Sequence, residues 1–181
     1  MNINQIKDSI RNISNFPKEG IQFKDITPLL MDSNIYNQVI EILKNRYQSM
    51  NIDVIIGIES RGFIFAGPLS LSLNCSFALA RKKGKLPYKT VNADYELEYG
   101  KDFLELHKDS INPGDNVLIV DDLLATGGTT KAVIEMVEQL SGNILEVAYL
   151  IELTELKGSQ KFSDKNIFSI VKYWKNQFYK N

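Results

Sequence analysis

The most informative stretch of this chain is Val117-Leu118-Ile119-Val120-Asp121-Asp122-Leu123-Leu124-Ala125-Thr126-Gly127-Gly128-Thr129-Thr130. Its first four residues are apolar on both faces, which is typical of a strand buried inside a parallel sheet. Apolar residues then recur at helical spacing, and Gly142 lies where that helix would end. A second apolar run, Val147–Ile151, follows. The pattern predicts a βαβ unit.

The remaining segments extend this unit into an α/β domain. Val54–Ile58 is a third apolar run of strand length, and Ser33 precedes a helical stripe that ends near Tyr47. The aromatic tail after Lys157 predicts an edge strand. Helical spacing of four isoleucines predicts an opening helix that contains Ile3, Ile6, Ile10 and Ile13. We therefore expect a twisted, mostly parallel sheet with helices on both faces.

The turn between the strand and the helix has the composition of a phosphate site. Unpaired N–H groups lie at the start of a helix, and Gly127 and Gly128 allow the backbone to approach an anion closely. The patterns of the triphosphate P-loop and of the dinucleotide fingerprint are both absent from the sequence. Asp121 and Asp122 lie too far before the helix to cap it. Two carboxylates beside a phosphate cradle suit the hydroxyls of a sugar phosphate and a divalent ion.

Composition narrows the class of protein. The 181 residues, with a mass of 20.6 kDa, favour one domain, and the formal charge of −1 predicts no attraction to nucleic acid or to an anionic membrane. Cys75 and His107 are single residues of their types, so neither a disulfide nor a zinc cluster is expected. The amino terminus has no signal-peptide pattern, and we expect a cytoplasmic protein.

The segment from Arg81 to Lys101 is rich in glycine and charge and has no helical period. We expect a long loop or a loose hairpin, and a segment of this kind is typically a lid or a binding loop. Four cations lie within five residues at its start: Arg81, Lys82, Lys83 and Lys85. They suit a polyanion such as pyrophosphate, although a solvated charge run is an equally good interpretation of the residues alone.

The central stretch resembles the phosphoribosyl pyrophosphate motif of the type I phosphoribosyltransferases, and its Val120–Thr129 form is similar to that of the adenine-specific branch. Four other segments agree with this purine/pyrimidine phosphoribosyltransferase family: Phe16–Leu30, Gly57–Phe63, Arg81–Pro87 and Tyr95–Gly100. The resemblance implies one phosphoribosyltransferase domain over residues 1–181. Within it, a small hood is expected at about 1–32 and a mobile lid at about 82–101.

The resemblance also implies roles for particular residues. The sugar pyrophosphate would be bound by Ser60, Arg61, Arg81, Lys82, Lys85, His107, Asp121, Asp122, Ala125, Thr126, Gly127, Gly128 and Thr129. Adenine would lie against Gln22, Phe23 and Lys24, of which Gln22 and Lys24 depart from the aliphatic residue and the arginine that are frequent there. Glu98 would be the general acid or base beside Tyr99 of the lid, and Arg61 would assist catalysis.

The implied reaction converts adenine and 5-phosphoribosyl 1-pyrophosphate to AMP and pyrophosphate, a step of purine salvage. Mg²⁺ would enter with the substrate, without direct protein ligands, and the family is usually homodimeric. Two alternatives stay open at this point. One is a phosphoribosyltransferase for another purine base, and the other is a regulator that senses the sugar pyrophosphate. A base panel and a nucleic-acid binding assay distinguish them.

Overall fold

The computed structural model describes residues 2–96 and 101–174. Its strands are β1 (Arg11–Ser14), β2 (Gln22–Asp25), β3 (Val54–Ile58), β4 (Ser76–Lys82), β5 (Thr90–Glu96), β6 (Lys101–His107), β7 (Asn116–Leu124), β8 (Asn143–Leu153) and β9 (Ile167–Tyr173). Its α-helices are α1 (Ile3–Asp8), α2 (Thr27–Met31), α3 (Ser33–Tyr47), α4 (Gly62–Leu73) and α5 (Gly128–Gln139). None of these helices combines the length and the apolar character that crossing a membrane requires.

Seven strands form one sheet in the order β5-β6-β4-β3-β7-β8-β9. Neighbouring strands from β4 to β9 in that order are parallel, whereas β6 pairs antiparallel with both β4 and β5. The prediction of a mostly parallel sheet is therefore confirmed, and so is the edge strand in the tail. The three apolar runs named above are its central strands β3, β7 and β8, whose residues are almost all buried.

Helices cover both faces of the sheet, and each face has its own hydrophobic core. On one face Ile55, Leu118 and Ala148 pack with α3 and α4. On the other face Ile56, Ile119 and Val147 pack with α5. Both faces of each central strand are thus buried, which explains why these segments show continuous apolar runs and no alternation.

The crossovers place a crevice between β3 and β7. The chain leaves β3 through α4 toward β4, and it leaves β7 through α5 toward β8, so the two connections diverge to opposite sides of the sheet. Ligands of open α/β sheets bind at such a switch point, beyond the carboxyl ends of the strands. The loops 59–61 and 125–127 follow the carboxyl ends of these two strands.

The predicted opening helix is too long, because α1 ends at Asp8. Ile10 follows the helix, and Ile13 lies in β1, where it pairs with Phe23 of β2. The isoleucine spacing continues by coincidence across a change of structure, because Ile10 lies between α1 and β1 and is not part of either element. The hairpin β1–β2, together with α1 and α2, occupies the segment expected to form the hood.

In the described part of the segment 81–101 the expectation of a hairpin is borne out, because Thr90–Glu96 form the strand β5, which pairs with β6. β5 and β6 pair in register from Thr90↔His107 to Glu96↔Lys101, and β6 extends the main sheet beside β4. The residues that connect the two strands, including Glu98 and Tyr99, lie outside the described part of the chain. The mobile lid at about 82–101 therefore stays a prediction.

Candidate active site

Two carboxylates lie at the carboxyl end of β7, next to the crevice. The amide N–H of Asp122 donates to Oδ1 of Asp121 at 2.8 Å, and Nε of Arg61 lies 2.9 Å from Oδ2 of Asp122. That oxygen is buried and accepts no hydrogen bond among the described residues, so the contact with Arg61 is an ion pair without hydrogen-bond alignment. The pair thus keeps acceptor capacity for a ligand.

Burial and mutual repulsion disfavour two negative charges in this pair. Burial is the main reason that the pKa of Asp121 is raised well above its ordinary value, and the charge of Asp122 adds to it. Burial also raises the pKa of Asp122, although Arg61 opposes that shift. Sugar hydroxyls or a cation would relieve this repulsion. Within residues 2–96 and 101–174 no three His, Cys, Asp or Glu side chains converge on a metal position.

Gly62 brings the start of α4 against these acids. A Cβ at this position would lie 2.7 Å from the carbonyl oxygen of Val120 and 3.0 Å from Oδ1 of Asp121. No side chain caps α4, whose first turn begins directly after Arg61. The amides of Phe63 and Ile64 donate to the carbonyl oxygens of Ser60 and Arg61 at 3.3 and 3.1 Å, so the start of α4 faces the crevice from the β3 side chiefly with the positive end of its dipole.

The cradle, residues 125–129, approaches the crevice from the β7 side. Gly127 has φ +76° and serves as the N-cap of α5, again without a side-chain cap. A Cβ on Gly127 would lie 2.4 Å from the carbonyl oxygen of Gly158, and a Cβ on Gly158 would lie 2.2 Å from that of Ala125. Close backbone packing against Gly158 therefore shapes the cradle, and nothing in the sequence near Gly158 indicated this role.

The hydroxyls of the cradle helix point in different directions. Oγ1 of Thr130 is 2.7 Å from the hydroxyl of Tyr149 in the interior, so it anchors α5 to β8 and does not face solvent. Thr126 is exposed and Thr129 is half-buried. Asp121 and the cradle line a common cavity of about 70 Å³. The structure thus brings Asp121 and the cradle together around one cavity.

An acid that the sequence analysis missed organises the cations. The Glu59 side chain is 8% exposed, accepts a hydrogen bond from the amide of Lys82 at 2.9 Å and pairs with Arg81 at 3.4 Å. The ammonium of Lys85 also contacts it. These cations lower the pKa of Glu59, although burial, the largest influence, opposes them. Its position directly after β3, matching the acids after β7, was the available signal.

His107 lies apart from this group. It ends β6, which runs away from the crevice, and its ring packs edge-on against Tyr88 with centroids 6.1 Å apart. Nε2 is buried and has no hydrogen-bond partner in the described part of the chain. The structure therefore does not bring His107 into contact with the acids or the cradle.

The hood contributes one aromatic ring to the crevice. Phe23 is half-buried, packs edge-on against Phe16 at 5.1 Å, and lies 5.3 Å from the guanidinium carbon of Arg61. Gln22 and Lys24, as its strand neighbours, point to the other side of β2. The side-chain oxygen of Gln22 accepts from Asn12 and Ser14, and Lys24 is buried. Of the three residues predicted for the base, the structure places the Phe23 side chain beside Arg61.

Asp25, the last residue of β2, adds a carboxylate two residues after Phe23. Its pKa is lowered chiefly by the backbone hydrogen bond from Thr27, with smaller contributions from the Thr27 hydroxyl, Arg11 and Arg61. The crevice therefore contains two uncapped helix N-termini, an acid pair, a set of cations and one aromatic ring. Such a site can bind both ends of a phosphorylated sugar and stack a flat base beside it.

Comparisons with known proteins identify this combination. A family model, the phosphoribosyl transferase domain, matches residues 28–180. An adenine phosphoribosyltransferase from Clostridium tetani is 52% identical over 168 residues, which cover 93% of this chain and 98% of that protein. The chain belongs to the adenine phosphoribosyltransferase family.

Solved structures of the adenine phosphoribosyltransferase family share the fold described above. The enzyme from Thermoanaerobacter pseudethanolicus has a TM-score of 0.92 at 46% identity, covering 95% of this chain and 100% of its own. The Saccharomyces cerevisiae enzyme, crystallised with an imino-altritol bisphosphate and adenine, has a TM-score of 0.89 at 40% identity, covering 93% and 98%. The type I phosphoribosyltransferase fold is thus confirmed.

Proposed function

We propose that this protein transfers the phosphoribosyl group of 5-phosphoribosyl 1-pyrophosphate to adenine, releasing AMP and pyrophosphate in purine salvage. The single observation that carries the proposal is the junction at Arg61. This side chain pairs with Asp122 on the sugar side and lies over Phe23 on the base side. One cation thus adjoins the groups suited to each of the two substrates.

The phosphoribosyl half would lie along β7 and α5. Asp121 and Asp122 would accept hydrogen bonds from the ribose hydroxyls, and the cradle Ala125–Thr129, which includes Thr126, Gly127 and Gly128, would hold the 5-phosphate. Free N–H groups at the start of α5 and the positive end of its dipole support this assignment. Close packing of Gly127 on Gly158 keeps those groups in place before the ligand arrives.

The pyrophosphate would lie at the start of α4, on the opposite side of the crevice. Its oxygens would accept from the backbone after Ser60 and from Arg61, Arg81, Lys82 and Lys85. Arg81 and Lys85 already pair with Glu59 through their side chains, whereas Lys82 contacts it through its backbone amide. Binding would therefore transfer part of the charge of Arg81 and Lys85 from a carboxylate to a phosphate. His107 is also proposed to contact pyrophosphate. That contact would require a closed form of the site or a site shared with a second copy of the chain.

The chemistry needs mainly charge stabilisation. As pyrophosphate departs, the anomeric carbon becomes positive while adenine N9 approaches it, so cations at the leaving group lower the barrier. Mg²⁺, which would enter with the sugar pyrophosphate and without direct protein ligands, would supply further positive charge there. Arg61 is the cation between the two reacting groups. A cytoplasmic location, where Mg²⁺ and sugar phosphates are available, is part of this proposal.

Proton transfer on adenine would belong to the lid at about 82–101. This segment includes Glu98 and Tyr99, and it would exclude water from the crevice when closed. Glu98 would accept or return a purine proton in the closed state. The hairpin's attachment to the main sheet through β4 gives the lid a firm base.

A homodimer is also proposed, because the outer surface beside the cations is apolar. Leu71 is 85% exposed on α4, and Phe77 is 40% exposed on β4. Phe77 packs against Phe63 at 6.2 Å and lies over Gly67, so the three form one surface with Leu71. Arg81 is on the same side of β4 as Phe77, so a second copy docked here would lie beside the pyrophosphate region.

Turnover with Mg²⁺ and the sugar pyrophosphate tests the proposal, with adenine, hypoxanthine, guanine, xanthine and orotate offered separately. Adenine should be strongly preferred, with product AMP measured directly. Equal or better use of an oxopurine would favour the alternative of another purine base. No turnover on any base, together with salt-sensitive nucleic-acid binding, would favour the regulator.

A further inference from the structure

Lys24 of the hood strand β2 is a buried lysine whose ammonium contacts an aromatic ring. The proposed chemistry does not use its side chain. The residue is 4% exposed. Its ammonium donates to Oδ1 of Asn12 at 3.1 Å and lies 4.0 Å from the ring centroid of Tyr173. Burial, followed by the charge of Lys7, lowers its pKa. A cation kept in such a place needs a compensating function.

Tyr173 belongs to the opposite end of the chain and to the main sheet. It is the last residue of β9, where it pairs with Leu153 of β8 and is 6% exposed. The hydroxyl of Thr154 donates to its carbonyl oxygen at 2.9 Å. Its ring is therefore held by the sheet and offers a fixed surface, and the Lys24 ammonium reaches it from the hood.

The two faces of β2 connect this contact to the base side of the crevice. Lys24 and Asn12 are cross-strand partners, and Ile13 and Phe23 form the next pair. The Asn12 amide also donates to the side-chain oxygen of Gln22 at 2.9 Å. Asn12 therefore hydrogen-bonds to both strand neighbours of Phe23, Gln22 and Lys24. A shift of Lys24 along Tyr173 would move Phe23 relative to Arg61.

We propose that Lys24 is a positioning residue for the base, acting through a contact with Tyr173 that holds the hood strand β2 against the sheet's edge strand β9. The inference rests on the proposed binding of adenine beside Phe23. An apolar side chain of equal length would fill the same space without the desolvation cost. The charge of Lys24 therefore serves to orient the strand and not to fill space. The lysine defines where β2 lies because both Asn12 and the ring must be satisfied together.

Lys24→Met tests this with the packing volume preserved. We expect the KM for adenine to rise about tenfold, with kcat and the KM for the sugar pyrophosphate unchanged within about twofold. Amide hydrogen exchange of residues 22–25 should become faster. Tyr173→Leu should reproduce both effects, and it also removes the contact of the ring with Lys7 at 4.9 Å. The double variant should be no worse than Tyr173→Leu alone, because that variant already removes the Lys24 contact.

Conservative variants separate positioning from general stability. Lys24→Arg, which can also donate to Asn12 and stack on the ring, should restore the KM for adenine, and Tyr173→Phe should keep it. Lys44→Met removes a half-exposed ammonium 3.6 Å from Glu41 on α3 and should change nothing. If Lys24→Met does not fold, Tyr173→Leu carries the same test.

The outcomes distinguish this inference from the proposed function. Faster exchange at 22–25 with an unchanged KM for adenine would overturn the positioning role, as would unchanged exchange and KM together. An equal rise of both KM values, not rescued by arginine, would also overturn it. A wild-type protein that fails to use adenine contradicts the proposed function, and the exchange experiment still decides whether the contact holds β2.

Discussion

The two sides of the crevice are built in different ways. The phosphate side, formed by the acid pair and the cradle, comes from the consecutive residues 121–129 at the end of a central strand. The base side comes from the small hairpin β1–β2, whose Phe23 ring contacts Arg61 and Phe16. Consecutive residues at the end of a buried strand are positioned by that strand. The position of a peripheral hairpin depends instead on its contacts with distant parts of the chain.

The largest expected effect concerns a residue that belongs to neither side. Glu98→Gln should lower kcat by about 10²–10⁴ with little change in affinity for the sugar pyrophosphate, because the amide cannot exchange a proton with the purine. Steady-state kinetics measure this. Glu96→Gln is the matched control. Equal, mild effects of the two variants would mean that positioning and charge on the two sides suffice without a dedicated acid or base.

Gly127→Val should break the phosphate side. A side chain there needs a left-handed backbone and meets the Gly158 main chain, so the cradle would shift by an ångström or more. We expect kcat/KM for the sugar pyrophosphate to fall about 10²-fold or more. Gly114→Val has a similar φ of +89° but open space around the Cβ, and it should lower stability without this loss. Unchanged affinity in calorimetry of Gly127→Val would remove the cradle from the site.

Phe23→Leu should weaken the base side alone. Loss of the aromatic face removes stacking on adenine and the contact with Arg61, so the KM for adenine should rise about tenfold while the KM for the sugar pyrophosphate stays within about twofold. Phe103→Leu, at a 37% exposed ring of β6, is the control. Parallel changes in both KM values would show that the two sides are not independent.

The smallest expected effect is on stability. It is measured by comparing Asp121 of the phosphate side with Asp25 of the base side. The pKa of Asp121 is raised in the fold, so its charged form is penalised above that raised pKa and the penalty disappears as pH falls below the ordinary value near 3.8. The pKa of Asp25 is lowered, so its contribution is favourable at neutral pH and is lost as pH falls through the lowered value. The two acids should therefore act with opposite signs.

Thermal unfolding at pH 8 and at acidic pH measures this contrast. At pH 8 Asp121→Asn should raise Tm and Asp25→Asn should lower it, each by a few degrees, since 1 kcal/mol corresponds to about 2–4 °C at this chain length. Both differences should shrink as pH falls. A lower Tm for Asp121→Asn at pH 8 would show that the free acid pair is not a source of repulsion.

The predictions from the sequence succeeded where neighbouring residues act together. The apolar runs of β3, β7 and β8, the acid pair at a strand end and the glycine turn before α5 are all consecutive features, and their geometry follows from local periodicity and backbone freedom. The opening helix failed because Ile10 and Ile13 repeat a helical spacing across the boundary at Asp8. A period read over so few turns does not locate where a helix ends.

The sequence by itself determined the α/β class, the order of the central elements along the chain and the acid-and-glycine stretch proposed to bind phosphate, because each depends on residues within a few positions of one another. Tertiary structure alone decided that Glu59 gathers Arg81 and Lys85, that Gly158 shapes the cradle, and that Lys24 turns from the base toward Tyr173. These contacts join segments that are tens to more than a hundred residues apart. Only the folded sheet brings such segments together, and no local pattern encodes the distance between them.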